Sequence, residues 1–136
     1  MRRALILLVL VLTASLVQAQ TVTITEETIG VVKKVRFAWT VDAAGDATGT
    51  TVGAYNGKIE VLVTDPGAGP PTDNYDIVVT DEDGYDTLAG AGANRDTATT
   101  ETVLASTLGV VANDKLTLTV AAAGNATSGV VVVYIR

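Results

Sequence analysis

The 136-residue chain contains no cysteine and no histidine. That excludes Ser-His-Asp and Cys-His nucleophilic catalysis, thiol redox chemistry, and the usual zinc, copper and haem sites. No disulfide can staple the fold, so stability must come from core burial, strand pairing or partners. Serine is scarce. Beyond residue 19 only Ser106 and Ser128 occur, and a Ser-Lys pair such as Ser106 with Lys115 carries no distinguishing signature. Aromatic residues make up 4% of the chain, namely Phe37, Trp39, Tyr55, Tyr75, Tyr85 and Tyr134. They are too few to line a sugar-cleaving cleft, although acidic residues for such chemistry are plentiful. Basic residues are also few, at 9 against 15 acidic ones. No enzyme is expected, and no catalytic residue, metal ligand or cofactor is assigned.

The first residues read as an export signal. Arg2 and Arg3 supply a positive start, and Ala4 to Leu12 is an unbroken apolar run. Val17-Gln18-Ala19 suits signal peptidase, so residues 1–19 are predicted to be a cleaved leader. The apolar stretch is about 14 residues, short of the ~20 that span a bilayer. The leader holds two of the nine basic residues and no acid, leaving 15 acidic against 7 basic, or −8. Such a surface repels nucleic acid and anionic lipid. Lys33, Lys34 and Arg36 are the one local basic concentration. Neither nucleic acid nor, after cleavage, a membrane is expected as a partner. The protein is predicted to be periplasmic, extracellular or particle-associated.

What is present is β pattern. The apolar fraction of 48% comes mainly from Ala and Val, with abundant Thr and Gly. Short strands are expected, separated by Gly, Asp, Asn and Pro clusters, in one domain over residues 20–136. Thr21 to Thr25 places Val22 and Ile24 on one face. Val31 to Val41 alternates most clearly, with Val31, Lys33, Val35, Phe37, Trp39 and Val41 on the row predicted to be buried. Asp42 to Thr51 reads as a polar connection. In Lys58 to Thr64, Ile59, Val61 and Val63 form the apolar row. Pro66 to Pro71 interrupts pairing. Tyr75 to Thr80 reads as a strand, Asp83-Gly84 as a hairpin turn and Tyr85 to Leu88 as its returning strand. Thr97 to Val111 fits two short strands, or a strand and one helical turn. Lys115 to Val120 alternates, and Gly124 to Gly129 reads as a hairpin loop. Val130 to Ile135 is apolar on both faces, which suits a central strand or one covered by another subunit. The predicted fold is an antiparallel β-sandwich, Ig-like or jelly-roll-like, of seven to nine strands.

Four places invite chemistry. Asp73, Asp76, Asp81, Glu82, Asp83 and Asp86 offer oxygen ligands of the kind calcium takes, or else capped, solvated turns. The glycine at 84 comes too early for an EF-hand loop. Trp39, Tyr75 and Tyr85 offer a stacking platform for glycans, although Trp39 sits on a buried row and reads better as core. Asn125-Ala126-Thr127 fits an N-glycosylation acceptor or a plain turn. Lys33 on an apolar row raises an isopeptide cross-link, or an edge lysine with its stem buried.

Three stretches carry a family resemblance. They are Val31 to Thr40; Pro71 to Ile77 followed by Asp81 to Asp86; and Gly92 to Thr97 with Val111 to Leu116. Together they resemble small β-rich virion structural proteins of tailed bacteriophages. The resemblance implies a particle component without an active site, and no functional residue is carried over. The leader departs from that pattern, because phage structural proteins normally assemble in the cytoplasm. The expected role is a non-enzymatic building block of a virion or similar extracellular assembly, with self-association or protein partners. The alternative is an exported binding module for glycan, calcium or protein.

Overall fold

The computed structural model describes residues 18–136. The expected leader lies outside the described residues, apart from residues 18 and 19. Nine strands form two antiparallel sheets. They are β1 (Thr21–Ile29), β2 (Val32–Thr40), β3 (Ala47–Thr50), β4 (Tyr55–Pro66), β5 (Asp76–Thr80), β6 (Glu101–Leu104), β7 (Val110–Asp114), β8 (Thr117–Ala121) and β9 (Ser128–Ile135). One 3₁₀ turn, Ala105–Thr107, separates β6 from β7. The larger sheet has the order β1-β2-β9-β4-β6, with β7 also paired to β4; the smaller is β3-β8-β5. The all-β sandwich expected from the pattern is therefore what forms.

The core lies between the sheets. β2 contributes Val35, Phe37 and Trp39, and β9 contributes Val131, Val133 and Ile135. From the smaller sheet come Ile77 and Val79 of β5, and Leu118 and Val120 of β8. Leu88 and Leu116 fill in from the connecting segments, and every one of these side chains is buried. Trp39 and Tyr75 meet at the centre with ring centroids 5.8 Å apart and planes tilted by 50°, a favoured aromatic geometry.

Several expectations change. Val31 is not on the buried row. Ile29 pairs with Val32, which makes Gly30-Val31 a two-residue turn, and Gly30 takes the positive φ (61°) that such a turn needs. Val31 is consequently 72% exposed. In β4 the apolar row switches parity. A register shift between Ile59 and Val61 inserts Glu60 as a bulge, and an extra residue moves all later side chains to the opposite face. Ile59, Leu62 and Thr64 are buried, whereas Val61 and Val63 face outward and are half-buried.

The Asp42 to Thr51 connection contains β3. Its Ala-Thr-Gly-Thr sequence has little strand signature, but it pairs with β8 over all four residues. Tyr85 to Leu88 does not return as a strand. One bridge, Thr80 with Asp86, forms before the chain turns away. Gly124 to Gly129 is not a hairpin loop, because β8 and β9 lie in different sheets and the segment crosses between them. β9 is central, flanked by β2 and β4, which accounts for its apolar inner face.

Candidate functional site

β5 divides the predicted acidic cluster. Asp73 and Asp76 precede or open the strand, and Asp81 to Asp86 follow its end. Five residues of strand place the two groups ~17 Å apart, so they do not share one ion. Two of the six carboxylates, Asp81 and Asp86, are occupied by their own turns, and Asp76 and Glu82 accept from amides of distant segments. Asp81 Oδ1 accepts hydrogen bonds from the Asp83 and Tyr85 amides at 3.1 and 2.8 Å. Asp86 accepts from the Leu88 and Gly90 amides at 3.0 and 2.7 Å. Asp76 accepts from the Asn94 amide at 2.9 Å. Asp42 and Asp96, outside the cluster, cap turns in the same way. The two amides bound to Asp96 hold its carboxyl below its ordinary range. Short acidic side chains are doing turn chemistry here. Among the described residues no group of three or more Asp or Glu side chains converges in a metal-holding arrangement.

The structure adds a residue that the sequence did not associate with this cluster. Asp114, at the end of β7, comes beside Asp81, Glu82 and Asp83. Desolvation, then the fields of those carboxylates, raise its carboxyl above the usual range. A groove of about 380 Å³ runs between the Asp81–Asp86 turn and the start of β7. Tyr85 and Val110 line it and are 75% and 66% exposed. Nothing local in the sequence links residues 81–86 to 114; the pairing of β5 with β8, which sets Thr80 opposite Thr117, does so.

The predicted aromatic platform is taken apart. Trp39 and Tyr75 are core residues, and only Tyr85 faces solvent. The Trp39 Nε1 and the Tyr55 and Tyr75 hydroxyls are buried and have no hydrogen-bond partner in normal geometry among the described residues. Burial, with Glu101 nearby, pushes the Tyr75 hydroxyl up to about 12. Burial, and then Glu26, raise that of Tyr55 as well. Tyr55 lies at the floor of a second, polar cleft of about 300 Å³ that also takes in Glu26 and Lys33. Lys33 is half-exposed and stands opposite both Thr28 and Ile135, so it lies on an interior strand rather than at the sheet edge. Asn125 is exposed, while the Thr127 hydroxyl donates to the Ala123 carbonyl at 2.9 Å.

The remaining surface of note is the outer face of the larger sheet. Val130, Val132 and Tyr134 of β9 lie there beside Val61 and Val63 of β4. Leu104 of β6 extends the row and is 65% exposed. Lys34 and Arg36 of β2 border it, paired in register with Tyr134 and Val132.

Comparison with protein-family models, with curated proteins and with solved structures finds no match.

Proposed function

We propose that the chain is a non-enzymatic structural building block of an extracellular assembly, of the virion kind that its sequence resembles. The observation that carries this reading is the outer face of the larger sheet, where apolar side chains from β9, β4 and β6 adjoin without a covering layer among the described residues. A contiguous apolar surface on a small domain marks an interaction site. The loops support the same reading where Asp42, Asp81, Asp86 and Asp96 turn their carboxylates onto their own backbone. The protein acts after export, as the chain without residues 1–19.

Mass spectrometry of the N-terminal peptide tests this in native material separated into sedimenting particles, cell envelope and medium. A peptide beginning at Gln20 in particles is the expected result. The same peptide confined to envelope or medium overturns the assembly reading.

The groove beside Tyr85 favours a second reading, an exported binding module. An exposed tyrosine flanked by Asp81, Asp83 and Asp114 suits a cationic or glycan ligand. Saturable glycan-array binding that Tyr85→Ala removes would favour it over the first.

A further inference from the structure

β1 differs from the other sheet edges. It is nine residues long, and seven of them are β-branched. Its only strand partner is β2, and no turn or loop hydrogen bond among the described residues reaches its free side. The other edges are short or covered. β6 has four residues and runs straight into the 3₁₀ turn. β5 is covered where the Ile77 amide donates to the Gly92 carbonyl and the Val79 carbonyl accepts from Thr87. β3 also has four residues, and its Thr48 amide is held by the Gln20 side chain. Edge strands are ordinarily blunted by charged side chains, lysine above all, by proline, by a bulge or by a cover, and the charges that β1 carries are the adjacent Glu26 and Glu27. β1 contains no lysine or proline and pairs with β2 without a register shift.

We propose that the free edge of β1 pairs antiparallel with β1 of a second copy about a twofold axis at Thr25, merging two large sheets into one. This rests on the building-block reading and names its first contact. The occupant follows from self-complementarity. Centred on Thr25, the pairing engages all nine residues. Glu26 then faces Ile24, Glu27 faces Thr23, Thr28 faces Val22 and Ile29 faces Thr21 of the second copy. Registers centred on or between the glutamates set acid against acid, which is destabilising. Glu27 is already partnered by Lys34 of its own chain at 3.9 Å. Isologous pairing of this kind closes, so it yields a dimer.

The absence of cysteine makes the test clean. Residues facing across antiparallel strands have Cα atoms ~4.5–5.5 Å apart, within the ~4.4–6.8 Å that a disulfide spans. Copies of Thr21 would lie ~27 Å apart. The chain is expressed with its own leader, recovered as the host processes it, and studied by sedimentation equilibrium and by oxidation of single-cysteine variants. A wild-type dimer is expected, with Thr25→Cys cross-linking at least about tenfold faster than Thr21→Cys. Thr25→Lys should weaken the dimer about fivefold by setting like charges face to face across the join, while Thr21→Lys, far from the axis and opposite Thr40 in its own chain, should leave it nearly unchanged. A monomer throughout, or equal cross-linking of the two cysteine variants, overturns the proposal. Particle-borne protein without this cross-link sinks only the edge pairing. Cross-linked protein absent from particles sinks only the assembly reading.

Discussion

Gly129 stands opposite Trp39 in the β2–β9 ladder, and the indole lies over it. A Cβ at that position would sit 2.4 Å from Trp39 Cζ2 and 2.9 Å from the Asp65 carbonyl oxygen. Neither the ring nor the backbone can yield cheaply. Gly129→Ala should therefore cost about 1–3 kcal/mol, read as a lower urea midpoint with an unchanged slope. The sequence marks this glycine only as the boundary of an apolar strand. Asp114 gives a second residue-scale expectation. Its folded-state pKa is raised, so the native chain binds that proton more readily than the unfolded one, and stability falls as pH rises through the folded value. At neutral pH the ionised carboxylate faces three others and destabilises the fold. Asp114→Asn should raise the melting temperature at pH 7, and the gain should vanish near ~pH 3, where carboxylates are largely protonated. An equal gain at both pH values would assign the effect to something other than charge.

At the scale of elements, the connections are tied down by side chains as much as by strands. Thr51 follows β3 and is buried. Its hydroxyl donates to the Gly53 carbonyl at 2.8 Å and accepts from the Leu116 amide at 3.0 Å. Its own amide donates to the Leu116 carbonyl at 2.9 Å. Thr51→Val keeps the shape and removes the hydroxyl, leaving the Leu116 amide without a partner. A loss of about 1–3 kcal/mol is expected, together with faster hydrogen exchange at Leu116. The sequence shows alternation in Val32–Thr40 and Thr117–Ala121 because each of these strands buries one face without interruption. It misleads in β4, where Glu60 shifts the register, and in β3, whose four residues gain strand form from β8 rather than from propensity. The acidic candidate site fails for a similar reason. Asp73 and Asp86 are close in sequence, but an extended strand separates them further than a compact loop would.

Across the whole molecule, the chain's early and late parts meet in one sheet. β9 is inserted between β2 and β4, so residues 32–40 and 55–66 are joined by residues 128–135. The larger sheet cannot close until the last strand is made, which makes the topology dependent on distant contacts. Removal of residues 128–136 should abolish cooperative unfolding and the near-ultraviolet signal of Trp39. A truncated chain that still melts cooperatively would contradict this order of dependence. The same insertion explains why β9 is apolar on both faces. One face closes the core, and the other forms the middle of the outer surface on which the assembly reading rests.

By itself the sequence determined the β class, the approximate strand count, the identity of Trp39 as core and the exclusion of histidine- or cysteine-based chemistry. Each of these depends on residue type or on period-two alternation, which are local properties. Only the tertiary structure decided which strands share a sheet, which parity faces inward after the bulge, that Asp114 joins Asp81–Asp83, and that β1 is left with an open edge. Those outcomes depend on pairing between segments far apart in the chain, and no local pattern encodes such pairing.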